Sequence, residues 1–258
     1  DVGSEIVKAK KHIGVVPEMS NLYAELSALD NLIFVGQLYG VPRAARRARA
    51  EELLRAFGLE DRRNSSFASL SRGMKRALTV AAALVHRPQM LFLDEPTLGL
   101  DVGASRSLRA LIANLHEQGM SIFLTTHYLE EADRLCDRIA ILVQGKIVRI
   151  DTPGNLKATA EKEPVMEVSF RLEGDLSDLA SELSRRLPGL KVVPMYRDSL
   201  RVYGGSPSAV LGTVLGWAEE KGLLLEGVNS VKPSLEDAFV KIAGLSPSVM
   251  VKEKGASA

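Results

Sequence analysis

Apolar positions along the chain fall into two rhythms. Three short runs, Ile13 to Val16, Met90 to Leu93 and Ser121 to Thr125, have the length and uninterrupted character of buried strands. Between and after them the spacing turns helical: Leu29 to Leu38, closed by Gly40 and Pro42, then Arg43 to Phe57, Arg72 to Val85, Ala104 to Glu117 and Tyr128 to Cys136. Asp61 to Ser66 is a polar loop. The helix over 43–57 places Ala50, Leu53, Leu54 and Phe57 on one face and Arg43, Arg46, Arg47 and Arg49 mostly elsewhere, which predicts a solvated basic face rather than a phosphate or lipid site. Buried strands alternating with helices predict an α/β fold, a parallel sheet with helices on its faces. Ile139 to Val143 and Lys146 to Ile150 then read as a hairpin turning at Gln144-Gly145.

After Asp151-Thr152-Pro153-Gly154 the pattern changes. An alternating strand (Val165 to Phe170), a helix (Leu176 to Leu187), a hairpin (Lys191 to Met195 with Leu200 to Tyr203), a helix (Ser208 to Lys221), a strand (Leu223 to Val228) and a last helix (Ser234 to Ala243) predict a small α+β domain. The expected division is 1–152 and 153–245, with a disordered tail over 246–258.

Composition narrows the chemistry. With 258 residues, 46% of them hydrophobic, the chain can bury one large or two modest cores. Its 33 basic and 32 acidic residues nearly cancel, so no global field draws it to nucleic acid, and no nucleic-acid partner is expected. The single Cys136 excludes an intramolecular disulfide, and four histidines without close spacing argue against zinc. The longest apolar stretch, Ala77 to Val85, is about half of the ~20 residues a membrane-spanning helix needs. The polar start, Asp1-Val2-Gly3-Ser4-Glu5, has no signal-peptide pattern and no initiating methionine, and reads as an internal cut.

Candidate chemistry collects at strand ends. The run Leu91 to Leu93 ends in Asp94-Glu95, and the C-terminal edge of an open parallel sheet is where ligands sit. In phosphoryl transfer one such acid holds Mg²⁺ and its neighbour polarises the attacking water. Leu70-Ser71-Arg72-Gly73-Met74-Lys75-Arg76 opens a helix about twenty residues earlier. Ser71 is a good N-cap there, and Gly73 lets a phosphate approach the positive helix end. Thr125-Thr126-His127 ends the next strand, which a parallel sheet brings to the same edge as Glu95, so His127 can orient water or touch a terminal phosphate.

These motifs, in this order, resemble the ATP-binding subunit of ABC transporters, in the branch of drug-resistance and ABC-2 exporters with a C-terminal accessory domain. Leu70 to Arg76 resembles the family signature, Leu91 to Pro96 the Walker B segment, Gly99-Leu100-Asp101 the D-loop, His127 the switch histidine, and Gly14 to Glu18 the Q-loop. Pro233-Ser234-Leu235-Glu236-Asp237-Ala238-Phe239 resembles a motif of the accessory domain, and is also a sound helix start. The resemblance implies a P-loop NTPase-like fold with a helical subdomain, and ATP and Mg²⁺ as ligands. It implies Asp94 and Glu18 at the metal, Glu95 as general base and His127 as γ-phosphate sensor. Ser71, Arg72, Gly73 and Asp101 would act in trans on the nucleotide held by a second ATPase subunit, the pair forming a homodimer. The partner it implies is an integral-membrane permease, and the location is the cytoplasmic face of a prokaryotic cell membrane.

Two positions depart from the family pattern: Glu18 stands for the usual glutamine, and Arg72 for the first signature glycine. No G-x-x-x-x-G-K-[ST] phosphate loop occurs in the 258 residues, so this chain alone is expected to bind ATP weakly or not at all. Two other readings compete: a soluble ABC-type ATPase of the translation or DNA-repair kind, and a catalytically incompetent interaction module. The first predicts tandem domains, charged linkers or zinc inserts, which the sequence lacks; intact Glu95 and His127 weigh against the second.

Overall fold

The computed structural model describes residues 4–160, 164–171, 176–195 and 198–243; the expected tail 246–258 lies outside them. Internal contacts divide the chain into two compact units, Asp1–Glu131 and Ala132–Ala258.

The first unit runs α1 (Ile6–Lys10), β1 (Ile13–Val16), α2 (Ala28–Leu38), α3 (Arg43–Ala56), α4 (Arg72–Ala83), β2 (Met90–Asp94), α5 (Val102–Glu117), β3 (Ser121–Thr125) and the start of α6 (Leu129–Leu135). Its three strands form a parallel sheet in the order β1-β2-β3, as the alternation of apolar runs and helices predicts. The register pairs Val16 with Leu93 and Asp94 with Thr125, so the C-terminal ends of all three strands finish on one edge.

Close packing of α4 on the sheet explains Gly14. A Cβ there would stand 2.5 Å from the Ala83 carbonyl oxygen, so no larger residue lets this helix lie against β1. Leu78, Val80 and Ala81 of α4 are fully buried, as are Val16 and Leu91 of the sheet. Ser71 caps α4 and Ser27 caps α2 by accepting main-chain N–H groups. Between β1 and α2 the chain is pinned by the fully buried Asn31, which accepts from Tyr23 N and donates to the carbonyls of Tyr23, Leu26 and Ser27.

The basic face of α3 is less solvated than its composition predicts. Arg46 donates to the Val41 carbonyl at 2.7 Å and Arg49 to the Leu84 carbonyl at 2.9 Å, so both brace the backbone of neighbouring segments. Arg47 instead makes an exposed pair with Glu51.

The second unit contains β4 (Ile139–Val143), β5 (Lys146–Asp151), α7 (Pro153–Ala160), β6 (Val165–Phe170), α8 (Ser177–Arg186), β7 (Lys191–Pro194), β8 (Ser199–Tyr203), α9 (Pro207–Lys221), β9 (Leu225–Val231) and α10 (Leu235–Ala243). Gln144 and Gly145, both at positive φ (49° and 76°), turn β4 into β5, the backbone a two-residue hairpin requires. A four-stranded antiparallel sheet follows in the order β7-β8-β6-β9. Its core includes Val168, Phe170, Leu200, Leu183 of α8 and Trp217 of α9, with Phe170 and Trp217 meeting edge to face at 5.9 Å. The composition boundary at 152/153 and the contact boundary at 131/132 differ by residues 132–152, the end of α6 and the β4–β5 hairpin, which packs against α10.

The motif Pro233 to Phe239 forms a capping box. Ser234 Oγ accepts the Asp237 N–H and Asp237 Oδ2 accepts the Ser234 N–H at 2.6 Å. Asp237, whose side chain is wholly buried, also accepts two hydrogen bonds from Arg201 at 2.9 Å and one from Tyr203 at 2.6 Å. Burial alone would raise the Asp237 pKa, but the bonds from Ser234 and Tyr203 and the Arg201 charge outweigh it and hold the carboxyl below its ordinary value. Arg201 also reaches Glu167 of β6, tying α10 to the sheet.

Candidate active site

Three strand ends build the site. The apolar run of β2 carries the chain to the sheet edge and stops at Asp94, where Glu95 turns it at φ 44°. That left-handed conformation is costly for a side-chain-bearing residue, and here the following Pro96 further restricts it. Neighbours on both sides hold it. The Glu95 N–H reaches the Thr125 carbonyl and hydroxyl oxygens, each at 3.2 Å, while the Glu95 carbonyl accepts from Arg76 at 3.1 Å. Strain kept in place by its surroundings is a common mark of functional positions.

The carboxylates take different partners. Asp94 Oδ1 accepts the Thr125 hydroxyl at 2.6 Å, a bond that the register Asp94 to Thr125 makes possible. Glu95 Oε2 lies 2.9 Å from His127 Nδ1, with both side chains partly buried. A proton on Nδ1 would be donated to Glu95, leaving Nε2 for another partner, and Tyr128 packs on the ring at 4.1 Å between centroids.

Glu18 is exposed just beyond β1. One guanidinium, that of Arg76, donates to both the Glu18 carbonyl at 3.0 Å and the Asp94 carbonyl at 2.6 Å, so the backbones of the two predicted metal positions meet around it. Among the described residues no three His, Cys, Asp or Glu side chains converge as a closed metal cage. Asp94 and Glu18 supply hard oxygen donors, and a cation there would complete its shell from water and phosphate, the habit of Mg²⁺.

The signature-like residues gather elsewhere in the unit, against the segment 99–104. Ser71 spends its hydroxyl on the Met74 N–H, and Asp101 caps α5 by accepting the Ala104 N–H at 2.8 Å. Arg72, anticipated beside a phosphate, donates to the Gly99 carbonyl at 2.8 Å. Gly73, read as allowing phosphate approach, has a packing reason within the chain: a Cβ would sit 2.8 Å from the Cβ of Ala104. Sequence reasoning gave no role to Arg76 or Thr125. The available signal for Arg76 was a cation three and four residues before the buried Thr79 and Val80, on the helix face turned to the core.

Residues 2–98 match the family model described as ABC transporter. The chain is 31% identical over 245 residues to a linearmycin resistance ATP-binding protein of Bacillus subtilis, covering 94% of this chain and 78% of that protein. It is 35% identical over 234 residues to a fluoroquinolones export ATP-binding protein of Mycobacterium tuberculosis, covering 91% of this chain and 68% of that protein. Among solved structures, an ATP binding subunit of an ABC transporter aligns with a TM-score of 0.54 at 31% identity, over 61% of this chain and 66% of its own. A dimeric post-hydrolysis ATP-binding cassette bound to ADP and Pi aligns with a TM-score of 0.52 at 27% identity, over 59% of this chain and 67% of its own.

Proposed function

Because the chain belongs to the ABC transporter family of ATP-binding subunits, we propose that it hydrolyses ATP to drive export through a separate membrane-spanning subunit. Its parallel-sheet fold is of the P-loop NTPase kind shared by the solved ATP-binding cassettes. No helix among the described residues is long and apolar enough to cross a membrane, which fits a peripheral subunit working at the cytoplasmic face with a permease.

The observation that carries the reading is the Glu95–His127 hydrogen bond at the sheet edge, with Asp94 beside it. Glu95 takes the proton of the attacking water, and His127 fixes its carboxylate through Nδ1 while turning Nε2 to the terminal phosphate. Asp94 and Glu18 would hold Mg²⁺, which when bound neutralises charge on the phosphates. Ser71, Arg72, Gly73 and Asp101, at the N-terminal ends of α4 and α5, would face the nucleotide of a second copy, a reading supported by the dimeric state of one solved relative. The relatives' names favour drug-like cargo and export over a nucleic-acid machine.

In a transporter complex where the protein carries a G-x-x-x-x-G-K-[ST] loop as well as these 258 residues, Glu95→Gln should lower ATP turnover by about 10²–10⁴-fold, the span of general-base catalysis, and leave nucleotide binding intact. Turnover at the wild-type rate would remove Glu95 from the role. In calorimetry on the 258-residue chain alone, ATP should bind weakly or not at all, and micromolar affinity would contradict that expectation.

A further inference from the structure

Arg76 sits one helical turn after the start of α4, only 8% exposed, and donates five hydrogen bonds to main-chain carbonyls. They belong to two separate segments. One edge of the guanidinium, through Nη1, meets the carbonyls of Pro17 and Glu18. The other, through Nε and Nη2, meets those of Pro96, Asp94 and Glu95, at 2.9, 2.6 and 3.1 Å. The group is planar with donors in a fixed fork, so the two segments are held across a rigid plate. Burial lowers the Arg76 pKa, against the opposing charges of Asp94 and Glu18, yet an arginine so bonded stays protonated at physiological pH.

The same helix grips the first segment again one turn on. Thr79 gives its hydroxyl proton to the Lys75 carbonyl, so Ser20 must donate in the 2.8 Å bond between Ser20 and Thr79. Residues 17–20 therefore follow α4, and through Arg76 so does the turn bearing Glu95.

We infer that Arg76 is a positioning residue, whose guanidinium keeps the left-handed turn of Glu95 in register with the Pro17–Glu18 segment so that movement of either is passed to the other. It touches no reacting atom. The claim about turnover rests on the reading of Glu95 as the water-activating acid; the claim about the clamp does not.

Exchange and kinetics separate these claims. In the wild-type chain labelled at arginine, the Arg76 Nε–H should be protected from solvent exchange by its bond to the Pro96 carbonyl, and a rapidly exchanging signal would overturn the clamp. In Arg76→Met, exchange of the Glu95 amide, which is bonded to Thr125, should accelerate while β3 amides keep their protection; unchanged exchange at Glu95 would likewise sink it. In the transporter complex, Arg76→Lys should lower kcat by about 100-fold, as a small misplacement of a catalytic group does, with KM for ATP changed by less than about threefold. A purely structural role would lower the melting temperature and the active fraction but spare kcat per active site, and that result would refute positioning. If the wild-type complex hydrolyses no ATP, the proposed function falls, and the exchange measurements still decide the clamp.

Discussion

The backbone of Glu95 offers a test of the site that needs no nucleotide. Glu95→Ala and Glu95→Gly both delete the carboxylate and its bond to His127, so that loss cancels between them. They differ in the turn. Alanine must keep φ at 44°, held from either side by Thr125 and Arg76, and the left-handed conformation costs about 1–2 kcal/mol for a residue with a Cβ. Glycine escapes that cost but loses about 0.4–1 kcal/mol through its freer unfolded state. The clash a proline imposes on the residue before it adds to the alanine side. On balance Glu95→Gly should be the more stable variant by about 1 kcal/mol, a shift of roughly 2–6 °C in melting temperature for a unit of this size. Urea unfolding monitored by circular dichroism would show it as a higher midpoint with unchanged slope. An alanine variant equal to or more stable than the glycine variant would mean that the turn stores no strain.

Two further outcomes concern packing and charge. Asp237 has a wholly buried side chain paired to an Arg201 side chain only 13% exposed, so Asp237→Ala should destabilise the second unit by about 3–5 kcal/mol, the cost of leaving a buried partner uncompensated. Because the folded pKa of Asp237 is depressed, its contribution is complete above the unfolded value of about 3.9 and lost as pH falls through the lower folded value. Urea midpoints between about pH 6 and pH 2 should therefore fall less steeply in Asp237→Asn than in wild type, and equal slopes would deny the depressed pKa. Gly73→Ala should force α4 and α5 apart at Ala104, and Ala104→Gly should relieve it, giving a coupling of about 1–3 kcal/mol in a double-mutant cycle; additive effects would contradict the close contact.

The parallel sheet and its candidate site edge were legible because buried strands announce themselves as short apolar runs, and because Glu95 follows one such run directly and His127 lies two residues beyond another. Helix α7 was not. Pro153 looks like a breaker, yet it occupies the first helical turn, where its missing N–H costs nothing, while the Thr152 hydroxyl caps the helix by accepting from Asn155 N. Only Leu156 and Ala160 of that helix are buried, too few to show a period. Arg76, Arg46 and Arg49 escaped for another reason: their acceptors are carbonyl oxygens, which every residue carries and no sequence pattern marks. Arg72 belongs with them: beside its motif position, one N–H of its guanidinium holds the Gly99 carbonyl, a contact no pattern announces.

That anonymity of the backbone matters at position 18. Arg76 holds the Glu18 carbonyl, and it would hold the carbonyl of glutamine or of any other residue equally well. The anchor therefore constrains the arginine alone, and the side chain at 18 can change without loosening it. Exchanging glutamine for glutamate there changes the charge at the sheet edge and keeps the joint beneath it.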